Sequence, residues 1–278
     1  MIGGNCNLKE PSLNIIDIHT HAFADGIAPK AIEALEKSSG TKALLDGTIS
    51  DLLRSMKKAE VAFSVIQPVA TKPSQVRAIN TWASRIAGNG LLPFATLYPG
   101  QSDWEEEIEQ IRRAGFLGVK LHPDYQNFDP DDKALFPMYD RLQAENLIVL
   151  YHAGDDISFP PPGRATPKRL LNIVEHFPDL RIIAAHLGGF EMWDAVEEYL
   201  VGEDLYLDTC YTFGHLETKR IVRIMERHGF DRILFGTDSP WKDQREEIQN
   251  ILRLDIPDEA KRGILGGNAR NLLHLRKW

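Results

Sequence analysis

The sequence predicts an α/β chain closed into a single (β/α)8 TIM barrel, and three observations carry that prediction. Eight short apolar runs occur, at 15–21, 61–67, 91–97, 116–122, 147–153, 180–186, 204–210 and 232–238. They are continuous Val/Ile/Leu runs rather than strict alternations, which is how strands covered on both faces read. An amphipathic stretch follows each run, and ligand-type side chains stand at the carboxyl ends of five runs, where barrel active sites are built. An open doubly wound sheet is the structural alternative. A dinucleotide-binding version would need a glycine-rich turn after an early strand, and no Gly-x-Gly-x-x-Gly is present.

Run 15–21, Ile-Ile-Asp-Ile-His-Thr-His, organises the rest. On a regular strand Asp17, His19 and His21 share one side and Ile16, Ile18 and Thr20 the other, so the two imidazoles converge on one point. Paired imidazoles are common metal ligands. A His-x-His on an exposed strand often arises by chance, but here apolar residues precede the pair and a loop follows it, so the strand is buried and the histidines close it. The loop, 26–47, is predicted to hold a short helix at 31–37, and helices are expected at 50–59 and 73–87 around the second strand. In helix 102–113, Ser102 and Glu105 form a capping box, and Trp104, Ile108 and Ile111 repeat at helical spacing. The fourth strand aims Lys120 and His122 to the face of Gly118. Helix 132–145 leads to the fifth strand, which ends in His152, and a loop at 154–166 follows with Pro160, Pro161 and Pro162 in a row. Helices 167–177, 192–200, 217–228 and 243–254 follow the remaining strands, with His186 and Asp238 at strand ends and Trp193 expected in the core.

The 278 residues fit one barrel domain, 1–278, with 1–12 as a short extension. The apolar share of 43% and charged share of 26% are those of a globular protein, and no apolar run reaches the ~18 residues of a membrane span. The first eleven residues lack a basic start and an apolar stretch, so a cytoplasmic location is expected. Cys6 and Cys210 are far apart and form no Cys-x-x-Cys, which argues against a disulfide framework or a zinc ribbon. A net charge of −8 without a basic cluster argues against a nucleic-acid partner. Of nine histidines, five stand at strand ends. His176 and His228 fall in helix C-terminal turns, where positive charge suits the dipole; His274 belongs to the terminal helix, and His215 to the rim.

The ordered set His19-x-His21, His152, His186 in Ala-His-Leu-Gly-Gly and Asp238 in Phe-Gly-Thr-Asp-Ser-Pro-Trp resembles the amidohydrolase superfamily. It is most similar to the amidohydrolase-related branch that includes aminocarboxymuconate-semialdehyde decarboxylase, and the likeness runs from 15 to 273. The resemblance implies a divalent metal, usually zinc, held by His19, His21, His152 and Asp238, one per chain with a two-metal state left open. It makes His186 a base or polarising group, or a ligand in two-metal members. Bound zinc lowers the pKa of water to ~7, and Asp238 is suited to accept the proton and deliver it to a leaving group. Two-metal members often bridge their ions with a carboxylated lysine or a glutamate on the fourth strand, which makes Lys120 a candidate bridge. A lysine paired with Asp17 or Asp208, or facing an anionic substrate, is the simpler expectation. His122 is expected to face substrate.

For substrate, Arg164 is the candidate to hold a carboxylate, and Tyr125, Phe159, Tyr211 and Trp241 follow strand ends that line a pocket. Three activities share such a site: hydrolysis of a C–N, C–O or lactone bond in a small carboxylated molecule, non-oxidative decarboxylation, and metal-dependent DNase activity of the TatD type. The last is disfavoured, since those enzymes carry Glu where this chain has Lys120 and His122. A barrel that had lost catalysis would lack one of the ligands. The expected partner is a small-molecule substrate, and a homodimer is left open.

Overall fold

A computed structural model describes residues 14–275; the extension 1–12 and Cys6 lie outside the described residues. Among these, eight strands form the barrel: β1 Ile15–Thr20, β2 Val61–Ile66, β3 Ala95–Thr96, β4 Gly118–Leu121, β5 Ile148–Tyr151, β6 Ile182–Ala184, β7 Tyr206–Asp208 and β8 Ile233–Leu234. β1 pairs with β2, and β3 through β8 pair in sequence order, all parallel. Two seams close the ring. Between β2 and the segment leading to β3, Leu92 N donates to Ser64 O (3.0 Å) and Phe94 N to Ile66 O (2.9 Å). Between β8 and β1, Ile18 N donates to Phe235 O and Asp238 N to His19 O, each at 2.8 Å. The last strand is thus joined to the first, as closure requires.

The observed strands are shorter than the apolar runs at 91–97 and 232–238. In the first case Pro93 offers no N–H to the ladder; in the second the chain turns out of extended geometry, with Asp238 at φ 63°. Side chains alternate between two cores. Ile148, Leu150, Ile183 and Leu234 fill the barrel, whereas Val149, Tyr151, Ile182 and Leu207 face the helices. The helices are α1 Ala28–Ser39, α2 Ile49–Ala59, α3 Val76–Ile86, α4 Trp104–Arg113, α5 Pro123–Gln126, α6 Phe136–Ala144, α7 Pro167–His176, α8 Trp193–Tyr199, α9 Thr218–His228, α10 Gln244–Leu252, α11 Asp258–Arg262 and α12 Asn268–Leu272. Ala269 and Leu272 of α12 join the interior cluster. No described helix is long and apolar enough to cross a membrane.

Several local expectations are corrected. The alternation of β1 breaks: Asp17 pairs with Ser64 but Thr20 with Ile66, so an extra residue on β1 makes a bulge. The Asp17 carboxylate therefore stays off the His19 ring and accepts from Gln244 of α10 (2.8 Å), Thr237 Oγ1 (2.7 Å) and the Thr237 and His19 amides. Burial raises its carboxyl to about 7 against those hydrogen bonds. The capping box of Ser102 and Glu105 is not made, since α4 starts at Trp104 behind Asp103, with no side-chain cap bond. Helix 132–145 is split into a 3-10 turn, Lys133–Leu135, and α6, which starts with Pro137 in its first turn, where no amide proton is needed. His228 is buried rather than a charged dipole partner: its Nε2 meets Leu205 O (2.9 Å) and its Nδ1 accepts from Gly202 N (3.2 Å), and burial lowers its pKa. His274 lies just past α12.

Candidate metal centre

The bulge in β1 lets His19 enter the barrel mouth although Ile18 already packs inside. Gly236 makes the room: a Cβ there would stand 3.0 Å from His19 Cβ and 3.3 Å from Cys210 Cβ. His19 Nδ1 contacts Asp208 Oδ2 at 2.8 Å, and His21 Nδ1 the Gln67 carbonyl at 2.8 Å. Both acceptors fix the proton on Nδ1, which leaves the Nε2 lone pairs facing inward. They meet Asp238, whose Oδ1 lies 3.1 Å from His21 Nε2 and 3.7 Å from His19 Nε2. The ligand atoms of His19, His21 and Asp238 all lie within 4.8 Å of one another.

This donor set fits a divalent metal. A carboxylate oxygen and an imidazole lone pair at 3.1 Å need positive charge between them, which either a proton or a metal ion supplies. Burial works against ionisation of Asp238, but the His21 contact and the surrounding imidazoles outweigh it and hold the carboxyl well below the usual range. Two imidazoles and a carboxylate suit zinc and its neighbours. The nearby cation is Lys120, whose Nζ lies 3.2 Å from His19 Nε2. Burial lowers its ammonium to about 8. It makes no hydrogen bond to Asp17, which α10 and β8 engage instead.

His152 stands in a neighbouring group rather than in this triad. Cys210 Sγ lies 3.2 Å from His186 Nδ1, His186 Nε2 3.0 Å from His152 Nδ1, and His152 Nε2 3.2 Å from Asp155 O. His186 Nδ1 also lies 3.1 Å from the Cys210 carbonyl, an acceptor that holds the proton on Nδ1 and leaves His186 Nε2 to accept from His152 Nδ1. Burial lowers His152 to about 3 and His186 to about 4, so both are neutral, and raises the Cys210 thiol well above its ordinary value. His122 stacks on His152 with centroids 4.1 Å apart, and its Nε2 reaches Asp156 Oδ2 at 3.2 Å. Burial takes His122 to about 4 in spite of that carboxylate. His186 and Asp238 sit at positive φ, 59° and 63°, a sparsely populated conformation for such residues and one found at functional sites.

The cavity over this floor measures about 730 Å³, and Tyr125, Tyr211 and Trp241 line it. Arg164 and Phe159 do not; they line a separate depression. Arg164 is held by Asp129 (2.8 Å) and Asn127 (2.6 Å), and Arg169 binds the same Asp129, so the expectation that Arg164 reaches the mouth is corrected. Among the described residues Lys120 is the only lysine or arginine that lines the cavity. Sequence reasoning missed Asp156 and the Gln67 carbonyl as site groups and weighed Asp208 only as a partner for Lys120. Asp156, four residues past His152 in a loop, carried a faint signal; a backbone carbonyl carries none.

The sequence model of the amidohydrolase family matches residues 16–275. A dihydroorotase of Marinomonas sp. is 24% identical over 168 residues, 56% of this chain and 48% of that one, so the chain spans about half the length of the curated relatives it matches. Among solved structures, the 5-carboxyvanillate decarboxylase of Sphingomonas paucimobilis superposes with a TM-score of 0.73 at 16% identity, covering 95% of this chain and 100% of that one. A dihydroxybenzoic acid decarboxylase of Polaromonas sp. with bound manganese gives 0.73 at 17% identity, covering 95% and 98%. These likenesses establish a shared fold.

Proposed function

The chain belongs to the amidohydrolase family and is an enzyme of that superfamily, and from this premise we propose that it is a metal-dependent hydrolase of a C–N, C–O or lactone bond in a small molecule. The observation that carries the reading is the convergence of the His19 and His21 Nε2 atoms on the Asp238 carboxyl, with each Nδ1 facing an acceptor of its own. His19, His21 and Asp238 would hold the metal, zinc by donor type, and His152 would join as a fourth donor on giving up the Asp155 carbonyl. A metal bound there supplies Lewis acidity and an acidified water.

The protein's own groups do the rest. Asp238, kept ionised at neutral pH, is the carboxylate that faces the inward Nε2 atoms of both imidazoles, and it takes up the proton and returns it to the leaving group. Asp208 and the Gln67 carbonyl fix the His19 and His21 tautomers. Lys120 supplies the positive charge for an anionic group on the substrate, a role that Arg164, engaged by Asp129, does not fill.

Non-oxidative decarboxylation is the second reading, favoured by the decarboxylases among the superposable structures. The two reactions part at their products. Zinc- or manganese-reconstituted protein is assayed against lactones, cyclic amides and carboxylated aromatics, with acid release and carbon dioxide release followed together. Acid release without carbon dioxide supports hydrolysis; carbon dioxide release with no hydrolysis product overturns it.

A further inference from the structure

Above its polar floor the cavity changes character. α1 follows β1 but does not pack on the barrel as α2 does: α2 buries Leu52, Met56 and Ala59, whereas α1 buries only Ala28. Ile27, Ala31 and Leu35, spaced by four, instead line the cavity, faced there by Ile79 and Trp82 of α3. At the rim, Ile27 and Ile157 are 56% and 47% exposed. An apolar stripe turned toward a cavity and left wet costs free energy unless a ligand covers it.

Volume points the same way. A cavity of about 150 Å³ already holds benzene, so a single-ring substrate fills roughly a fifth of the 730 Å³ present. Lys120 lies at the floor, so the upper part offers no lysine or arginine for a second acidic group among the described residues.

We infer that the substrate is amphiphilic: a compact polar group at the His19–His21–Asp238 floor carries an extended apolar substituent that lies between α1 and α3. The polar end of this inference rests on the hydrolase reading; the apolar arm stands on the cavity wall alone. Two probe series separate them. Straight-chain alkyl hydroxamates of increasing length carry a metal-binding head, and the matching alkanols carry none. Both are titrated calorimetrically into metal-loaded protein below their aggregation limits. Burial of each methylene predicts a Kd that falls roughly fourfold per added carbon until the arm is full. The slope is expected in both series and is expected to collapse in Ala31→Trp, which fills the arm from an exposed helix; a thermal melt checks the fold. Equal Kd values along both series in the parent protein, or an unchanged slope in Ala31→Trp, overturn the arm. A slope with alkanols, but hydroxamates that bind no better than alkanols, keeps the arm and removes the metal-bound head.

Discussion

Replacement of Asp208 by Asn tests the claim that tautomer control makes the metal centre. Asp208 Oδ1 accepts the His186 and Cys210 amides at 3.0 and 3.1 Å, and its Oδ2 takes the His19 Nδ1 proton at 2.8 Å. In Asp208→Asn the two amides hold the remaining carbonyl oxygen in place, so the new NH2 group faces His19 Nδ1. Two donors cannot share that contact, and His19 must move its proton to Nε2, where it blocks the lone pair that a metal needs. A charge-assisted hydrogen bond is worth about 1.5–3 kcal/mol, which corresponds to a loss of roughly 10–100-fold in metal affinity, the usual cost of removing such a partner. Competition of the purified variant with a chromophoric chelator for zinc measures this, and circular dichroism checks that the barrel persists. A folded Asp208→Asn protein that binds zinc as tightly as the parent refutes the reasoning.

Three further outcomes are expected. Asp238→Asn lowers turnover roughly 10²–10⁴-fold, the share of general acid–base catalysis, and full turnover on any substrate found by the screen rules out the proton-transfer role. Lys120→Ala raises KM for anionic substrates while metal content stays near one per chain; elemental analysis that finds two metals in the parent and one in the variant identifies a bridging lysine instead. Glu247, buried with Oε2 unpaired, has its carboxyl raised by burial from 4.5 to about 7. A raised carboxyl contributes stability that is present below 4.5 and lost as pH rises through about 7, so Glu247→Gln gains up to about 3 kcal/mol over the parent at pH above 7 but not near pH 4. Urea unfolding at the two pH values measures the gain, and an equal difference at both contradicts it.

The barrel was legible in the sequence because its signals are local. Apolar runs, helical periods and the placement of His19, His21, His152, His186 and Asp238 after those runs depend on neighbours a few residues away, and closure follows from eight repeats of one unit. What the tertiary structure decided depends on contacts between segments far apart in the chain. Strand period assigned Asp17 to the side of His19, but a bulge against β2 sends Asp17 to α10, and local alternation cannot register a slip set by the partner strand. Arg164 reads as a free loop cation until Asp129, 35 residues away, captures it. His19 presents Nε2 because Asp208, 189 residues away, takes its Nδ1 proton, and His21 does so because of a carbonyl, a group every residue carries. The sequence by itself therefore brought His19, His21, His152, His186 and Asp238 to strand ends; only the folded chain decided which further side chains join them and which nitrogen each imidazole offers, because a proton's position is set by whatever acceptor the fold brings opposite.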